Sequence, residues 1–449
     1  MKSKTPICDF VKKYSEQKYA RFHMPGHKGK DILGFERYDI TEINGADSLY
    51  EAKGIIAESE RNAAELFGSR KTLYSVEGSS QCIRAMIYLA VCKSAGNGRK
   101  PVIVATRNAH KVFAQITTLL DVDVVWLESE QPTDTLCSCY VSARRLEEVI
   151  SSLPYRPCAV YVTSPDYLGN IADIRGFAAV AHKCGSLLIA DNAHGAYLKW
   201  VDSYLHPLDN GADMCCDSAH KTLPVLTGGA YLHIGKNAPA YLADEAKNAM
   251  SMFGSTSPSY LTLQSLDNLN GMLFDGYGDK IRGAVSRLNY FKKKFTEKGW
   301  TFLKTDEPLK VTVDARANGY VGTKLAKMLI DGKVMPEYYD PDYVTLMVSG
   351  ETSYDDFEIL QNALNAVPLK KPLARKSFTL TRIADMTMKE ALTRPSETVN
   401  VNEAIGRVLA CPTVSCPPAI PMLSGGERIT EEAAEILTYY GIKEIKVIK

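Results

Sequence analysis

The chain has 449 residues, of which 45% are hydrophobic and 23% are charged, as in an ordinary globular protein. A chain of this length normally divides into two or three domains. Its 53 lysines and arginines nearly balance 52 acidic residues, so the composition predicts neither nucleic acid nor an anionic membrane as a partner. No apolar run is long enough to cross a bilayer, and the N-terminus lacks the apolar core of a signal peptide. We therefore expect a cytoplasmic protein.

The cysteines and histidines do not have the spacing of a metal site. The 11 cysteines are scattered, which indicates reduced intracellular thiols rather than a disulfide framework. Cys137-Ser-Cys139 and Cys215-Cys216 lack the paired spacing of a zinc site. His23 and His27 are four residues apart, but the Pro-Gly pair between them prevents the regular helix that such a metal pair needs. The sequence therefore predicts no metal.

Short apolar strands alternate with helices through the first 270 residues. Ile55 to Phe67 has helical apolar spacing, and Gly68 is its predicted C-cap. The predicted strands are Thr72–Val76, Val102–Ala105, Val122–Leu127, Ala159–Thr163, Leu187–Ala190 and Gly229–Ile234. Uninterrupted apolar strands alternating with helices predict an α/β fold with a mostly parallel sheet covered on both faces. In such sheets ligands bind outside the carboxyl ends of the strands.

Composition and pattern suggest four parts along the chain. Residues 1–55 resemble an N-terminal arm with one short helix, and residues 56–270 a large α/β domain. Residues 271–368 contain helices and two further apolar strands, which predicts a smaller α+β domain. A linker rich in lysine and proline then leads into a C-terminal module over residues 369–449.

One lysine stands out in the stretch from Asp213 to Gly229. Lys221 follows small polar residues and precedes a Thr-Gly-Gly turn, a setting that suits a lysine held at a strand end. A lysine amine is a useful nucleophile when its pKa is lowered or when it is already an imine, as in pyridoxal phosphate enzymes. Alone, the Ser-x-His-Lys pattern favours an ordinary exposed lysine. Evidence for a cofactor-binding lysine must therefore come from the rest of the chain.

Pyridoxal phosphate also needs a carboxylate at its pyridine nitrogen, a flat contact on its ring and donors for its phosphate. Asp191 ends a predicted buried strand and could supply the carboxylate, while His110 follows an earlier strand and could stack on the ring. The candidates for phosphate binding are Gly78, Ser79, Ser80, Ser218 and His220. Each has an ordinary alternative, such as helix capping, a satisfied polar residue, or half a metal site for Asp191 with His194. Their joint occurrence at strand ends supports the cofactor.

Six stretches of this sequence resemble the Orn/Lys/Arg decarboxylases, which are pyridoxal phosphate enzymes of the aspartate-aminotransferase fold, also called fold type I. The stretches are Phe22–Gly29, Arg107–Lys111, Thr163–Pro165, Asp191–Ala196, Ser218–Pro224 and Cys416–Pro421. The resemblance thus runs over nearly the whole chain. The first and fifth stretches are the most specific to the family.

The resemblance implies a role for each candidate. Lys221 would bind the cofactor as an imine, Asp191 would pair with the pyridine nitrogen, and His110 and Ala193 would pack on opposite ring faces, with His194 nearby. Ser79, Ser80, Ser218 and His220 would bind the phosphate. The family also implies a homodimer with sites near the interface, where Ser255 and Thr256 would reach the phosphate of the other subunit.

Several positions depart from the family pattern. The family usually has Glu at Asn192, Thr at Asp166 and Gly at Ala419, and it has Pro-Gly-Glu where this chain has Gly425-Gly426-Glu427. These changes spare the expected cofactor contacts but leave the substrate and the catalytic competence open. Asp166 could attract a cationic substrate or could be a charge on a surface loop. Because the first motif begins near the start, we expect a short form that lacks the N-terminal wing domain of longer members.

The predicted function is decarboxylation of arginine, lysine or ornithine to carbon dioxide and a polyamine-type amine, with pyridoxal phosphate as cofactor. A second possibility keeps the cofactor and changes the reaction to transamination or to another lyase reaction of the same fold. A third is an inactive, cofactor-binding regulatory partner, which the altered positions suggest. The sequence leaves open which basic amino acid is the substrate and which assembly forms beyond a dimer.

Overall fold

The computed structural model describes residues 3–92, 99–130, 138–201, 204–414 and 421–449. The helices are α1 (Pro6–Glu16), α2 (Ile55–Phe67), α3 (Ser79–Cys92), α4 (Lys111–Leu119), α5 (Ala143–Ser152), α6 (Ile174–Lys183), α7 (Ala219–Thr222), α8 (Ala240–Ser251), α9 (Tyr260–Phe274), α10 (Tyr277–Glu297), α11 (Gly322–Asp331), α12 (Tyr354–Asn365), α13 (Met388–Thr393) and α14 (Glu431–Tyr439). The strands are β1 (Lys71–Ser75), β2 (Val102–Thr106), β3 (Asp123–Leu127), β4 (Ala159–Thr163), β5 (Leu187–Asp191), β6 (Met214–Asp217), β7 (Ala230–Ile234), β8 (Lys310–Asp314), β9 (Tyr338–Tyr339), β10 (Tyr343–Met347), β11 (Ser396–Asn400) and β12 (Glu444–Ile448).

The chain divides into two compact units, Met1–Lys93 with Phe177–Gly283 and Ser94–Gly176 with Ala284–Lys449. In the first unit the strand order is β1-β7-β6-β5, with β5 and β6 parallel and β7 antiparallel to both of its neighbours. In the second unit β4, β2 and β3 pair in parallel, while β8-β10-β9 and β11-β12 are antiparallel. The predicted α/β fold with a mostly parallel central sheet is confirmed. The division into four domains expected from the sequence stays a prediction.

Local sequence signals account for most element boundaries. Helix α2 ends at Gly68, which has the left-handed φ of 68° expected of a glycine C-cap. Strand β2 is buried at every position, as a strand covered on both faces requires. Helix α3 begins at Ser79, so Ser79 and Ser80 lie in its first turn. This position matters for anion binding, because the free N–H groups of a helix lie in its first turn.

The C-terminal residues of the second unit have a compact apolar core. It contains Leu409, Leu423, Ile436, Leu437 and Val447, all with no measurable solvent exposure. Helix α14 supplies two of these side chains and strand β12 supplies one. Across the described residues, no helix combines the length and the apolar composition needed to cross a bilayer.

Helix α1 is anchored within the first unit by a buried carboxylate. Asp267 of α9 accepts hydrogen bonds from the backbone N–H of Cys8, at 2.8 Å, and from the Ser59 hydroxyl. Burial raises the pKa of Asp267 to about 6, although hydrogen bonds from Ser59 and Cys8 partly oppose the rise. The folded chain therefore binds this proton more tightly than the unfolded chain does.

We predict that acidification stabilises the protein through Asp267. Since its folded pKa lies above the unfolded value, the free energy of unfolding should rise as the pH falls through 6, by about 1.3 kcal/mol between pH 7 and pH 5. Asp267→Asn should lose this contribution in denaturant unfolding measured across that range. Asp275→Asn, which removes an exposed carboxylate at the end of the same helix, should keep the wild-type pH dependence. Equal pH dependence in Asp267→Asn and wild type would contradict the assignment.

Candidate active site

Lys221 lies in a single helical turn directly after strand β6. Ser218 follows the strand, α7 occupies the next four residues, and the Lys221 N–H bonds the Ser218 carbonyl at 3.0 Å. The turn ends at Leu223, whose extended backbone is the conformation favoured before a proline. Lys221 is half-buried, and its Nζ lies 2.9 Å from Nε2 of His194. The lysine is thus held at a strand end, as its sequence setting indicates.

Asp191 is a buried carboxylate at the end of the neighbouring strand. It is 2% exposed, and it pairs in parallel register with Cys216 of β6. Its Oδ1 accepts the N–H of Ala193 at 3.2 Å and the Cys216 thiol at 3.5 Å. Such a carboxylate suits the protonated nitrogen of a pyridine ring, because a nearby cation favours its charged form.

The turn before α3 and the residue before Lys221 are hydrogen-bonded to two adjacent glycines, one each. The Gly78 N–H donates to the Gly228 carbonyl at 2.7 Å, and both the backbone N–H and ring Nδ1 of His220 donate to the Gly229 carbonyl, at 3.1 and 2.9 Å. A Cβ on Gly78 would lie 3.9 Å from Cε1 of His220. The Gly78 turn and His220 are therefore neighbours, at the N-terminus of a 14-residue helix that favours an anion.

Gly228 was not among the predicted site residues, yet its position requires a glycine. Its φ is +96°, and a Cβ would approach the Val76 carbonyl oxygen to 2.6 Å. The sequence signal for it was the Thr-Gly-Gly turn after Lys221. A second feature that sequence reasoning missed is the set of side chains around Asp217, the residue just before Ser218.

Ser255 lies beside the phosphate-binding turn predicted for its own chain. Its backbone N–H donates to Oε1 of Glu77, the residue before Gly78. Both Ser255 and Thr256 are exposed. Their contact with the phosphate of another subunit stays a prediction.

His110 belongs to the second unit, where it caps α4. Its side chain is exposed, and its Nδ1 accepts the N–H of Val112 at 3.3 Å. Side-chain capping of this kind satisfies one of the free N–H groups of a helix start. Stacking of His110 on the cofactor ring stays a prediction.

Asp166 is not a charge on a surface loop, and that alternative is wrong. It is 5% exposed, and burial raises the pKa of its carboxyl group. Its carboxylate accepts the N–H groups of Gly169 and Asn170 at 2.8 and 2.9 Å and the Asn170 amide at 2.7 Å. These bonds close the loop that follows β4, which favours a structural role for Asp166 over recognition of a cationic substrate.

The sixth sequence motif could not be placed. Cys416 and Ala419 lie outside the described residues, and only Pro421 of that motif is described.

The residues of the first unit suit pyridoxal phosphate. They supply an amine held against an imidazole, a buried carboxylate at a strand end, and a helix N-terminus with two serines in its first turn. These are the groups that the cofactor's aldehyde, pyridine nitrogen and phosphate need. The fold and this donor set define a pyridoxal phosphate enzyme of fold type I.

Comparison with known proteins assigns the family. The model of the Orn/Lys/Arg decarboxylase major domain matches residues 5–382, and that of the Orn/Lys/Arg decarboxylase C-terminal domain matches residues 369–445. The chain belongs to the Orn/Lys/Arg decarboxylase family. It is therefore a carboxy-lyase that uses pyridoxal phosphate and acts on a basic amino acid, which confirms the predicted family, cofactor and reaction class.

Relatives match over nearly the full chain. The uncharacterized protein YaaO of Bacillus subtilis is 27% identical, over 97% of this chain and 94% of its own. The arginine decarboxylase of the same organism is 26% identical, over 95% of this chain and 92% of its own. The solved structure of the Escherichia coli constitutive lysine decarboxylase has a TM-score of 0.78 at 18% identity, and the match covers 99% of this chain and 82% of that one.

Two family motifs meet in a buried ion pair that is separate from the predicted chemistry. Nη2 of Arg107 lies 2.6 Å from Oε2 of Glu427, and both side chains are buried. The guanidinium also lies over the Trp126 ring, 4.9 Å from its centroid, and the Ser424 N–H donates to Glu427 at 2.8 Å. The pair thus fastens residues 424–427 to the end of β2.

We predict that Glu427→Gln lowers the free energy of unfolding by about 3 kcal/mol, because the buried Arg107 guanidinium then keeps only the half-exposed Glu128, 4.0 Å away, as a counter-ion. Arg428→Gln is the matched control. It removes the half-exposed pair with Asp385 next to Glu427 and should lower the stability by no more than about 1 kcal/mol. Denaturant unfolding measures both values. If the two variants lose similar free energies of unfolding, the buried pair stabilises the protein no more than the exposed pair does.

Proposed function

We propose that this enzyme decarboxylates arginine and that Lys221, Asp191 and His110 are its catalytic residues. The observation that carries the proposal is the contact between Lys221 Nζ and His194 Nε2 beside the strand end that holds Asp191. Arginine is favoured because the arginine decarboxylase of Bacillus subtilis matches almost the whole chain. The proposed cofactor residues are Gly78, Ser79, Ser80, His110, Asp191, Ala193, His194, Ser218, His220, Lys221, Ser255 and Thr256.

Each residue of the first unit has a distinct task in this proposal. Pyridoxal phosphate, when bound, supplies the electron sink that loss of carbon dioxide from Cα requires. Asp191 holds a proton on the pyridine nitrogen, and the N-terminus of α3 with His220 holds the phosphate. Lys221 would hold the cofactor as an imine, and when its amine is free, Nε2 of His194, 2.9 Å away, can exchange a proton with it. That contact keeps the lysine amine in a defined position between proton transfers.

We predict that Lys221→Ala loses the visible absorbance band of the bound cofactor and lowers kcat by about 10³-fold or more. Wild-type protein with pyridoxal phosphate should release agmatine and carbon dioxide from arginine, and less product from lysine and ornithine. Lys236→Ala removes an exposed lysine of the same unit and should change neither result.

The products separate the competing functions. A keto acid without an amine would indicate transamination instead. A visible band with no product from arginine, lysine or ornithine would indicate an inactive cofactor-binding protein. Absence of the band in wild-type protein would overturn the assignment of Lys221.

We further propose that the enzyme is a homodimer formed in part by the apolar segment, defined as residues 19–35. This segment exposes large apolar side chains, and Phe22 is 97% exposed. The exposed side chains are those of Tyr19, Phe22, Met24, Ile32, Leu33 and Phe35. Six large exposed apolar side chains within 17 residues are unusual for an isolated globular chain, whereas subunit interfaces bury such side chains. The segment includes the first family motif.

We predict that the wild-type protein has twice the 49.5 kDa mass of one chain by light scattering. Phe22→Glu should shift the mass toward one chain, because it would bury a charge in the interface. Met335→Glu alters a similarly exposed apolar residue outside the segment and should leave the mass unchanged. A monomeric wild-type protein would refute this part of the proposal.

A further inference from the structure

Beneath Ser218, one buried carboxylate receives three side-chain donors. Asp217, the last residue of β6, accepts the Asn192 amide on Oδ1 at 2.6 Å. Its Oδ2 lies 3.0 Å from Nε2 of His206 and 3.2 Å from Nε2 of His233. All four side chains are 0% exposed. We call these four residues the Asp217 cluster.

The hydrogen bonds of the cluster place its protons. Nδ1 of His206 accepts the Leu208 N–H at 3.3 Å, so Nε2 carries the hydrogen that is donated to Asp217. Nδ1 of His233 lies 2.8 Å from the Thr72 hydroxyl, which leaves its Nε2 to donate to the same carboxylate. Burial opposes the charge on Asp217, but His206 and His233 outweigh it and hold the pKa of Asp217 below its ordinary value.

The thiols and the phenol around Asp217 carry no negative charge near neutral pH. The titratable groups around Asp217 are His206, His233, Tyr231, Cys82, Cys215 and Cys216, with Lys199 also acting on His233. The carboxylates of Asp191 and Asp209 act on the thiols, and that of Asp267 acts on the Tyr231 phenol. Burial raises the pKa of the three thiols and of the Tyr231 phenol, so these groups stay uncharged near neutral pH. Burial also lowers the pKa of His233. The negative charge of the cluster therefore belongs to Asp217.

A metal centre is the main alternative for these side chains. Donor atoms of His206, Cys215 and Asp217 lie within 4.8 Å of one another. A metal would need a thiolate and a free ring nitrogen. Burial disfavours the thiolate of Cys215, and Nε2 of His206 already donates to Asp217. Hydrogen bonding thus accounts for the arrangement without a metal ion.

The Asn192–Asp217 bond joins the two segments that carry the proposed cofactor residues. Asn192 directly follows Asp191 and precedes Ala193 and His194, while Asp217 precedes Ser218 and Lys221. The Asn192 N–H also donates to the Cys216 carbonyl at 3.0 Å. A Cβ at Gly195 would lie 2.0 Å from Oδ1 of Asn192, so a glycine leaves room for the amide.

The side chain at position 192 determines whether Asp217 is the only negative charge in this buried pair. A glutamate here would bring a second carboxylate against Asp217 in a fully buried site, where two like charges cannot both ionise. Asparagine supplies a donor instead and adds no charge. The two positions together therefore hold one negative charge.

We propose that Asn192 and Asp217 are positioning residues, whose hydrogen bond around a single buried charge sets Asp191 and Lys221 in place for the cofactor. This inference rests on the proposed function, because it concerns the same site. Neither residue needs to touch the cofactor. Each acts through the segment that carries it.

The test is a charge exchange between the two positions, read as cofactor affinity. Apo protein is titrated with pyridoxal phosphate from pH 6 to pH 9. The cofactor affinity of each variant is divided by the wild-type affinity at the same pH. Asn192→Asp places two carboxylates together, so its affinity should fall at least about 10-fold at pH 8 and recover toward pH 6, where they share a proton. Asp217→Asn turns an amide N–H₂ group toward a donor and should weaken binding at every pH.

The double variant N192D/D217N restores one charge and one donor. Its affinity should return to within about threefold of wild type, a coupling that only interacting side chains show. Asn192→Ala removes the donor without adding charge, so it should weaken binding with no pH trend relative to wild type. This variant keeps the test informative if Asn192→Asp does not fold, and circular dichroism monitors folding throughout.

Several outcomes would overturn the proposal. One is a double variant no better than the weaker single variant. Another is a cofactor affinity of Asn192→Asp, relative to wild type, that does not vary with pH. A loss of thermal stability with unchanged affinity and unchanged cofactor absorbance would show a structural role alone, and stoichiometric bound metal would replace the hydrogen-bond account. Failure of the proposed function appears instead in wild-type protein, as absence of amine and carbon dioxide.

Discussion

The parallel pairing of β5 with β6 is the constraint on which the candidate site depends. Parallel neighbours end at the same edge of a sheet, so the polar segments that follow them must lie side by side. Asp191 pairs with Cys216, and the chain then enters one turn carrying His194 and another carrying Lys221. The 2.9 Å contact between the lysine amine and the imidazole is a consequence of that pairing. A slip in register would separate these groups without changing either segment.

Family motifs in this chain serve two different physical purposes. The lysine motif holds the Lys221 amine against the His194 imidazole in the proposed site. Arg107 belongs to another motif, yet its guanidinium is buried against Glu427 and Trp126, where it holds the C-terminal residues in place. Resemblance alone cannot separate these purposes. The contacts separate them, because the Arg107 guanidinium is already occupied by Glu427 and the Trp126 ring, whereas the half-buried Lys221 amine contacts an imidazole.

Buried acids recur as structural elements, and each is stabilised by a different set of donors. Asp166 closes a loop with backbone N–H groups, and Asp267 holds α1 to α9. Asp217 is surrounded by histidines and an amide. The pKa of each acid depends on the balance between burial and its donors. Burial prevails and raises the pKa of Asp166 and Asp267, whereas the histidines prevail and lower the pKa of Asp217. A carboxylate in the sequence therefore has no fixed role until its neighbours are known.

The sequence by itself determined six of the seven strands of the central sheet, the cofactor and the family, and it singled out Lys221 as a candidate, but it did not predict strand β6, which leads to that lysine. These follow from local signals, such as apolar runs, the glycine that ends α2, and motifs of a few adjacent residues. Only the tertiary structure decided that His194 meets Lys221, that Gly228 and Gly229 join His220 to the Gly78 turn, and that Asp166 is buried. Sheet pairing and loop closure bring these groups together, and neither is written in the local pattern. His206, Asp217 and His233 show the same limit, because each looks like an ordinary polar residue until strand pairing encloses it.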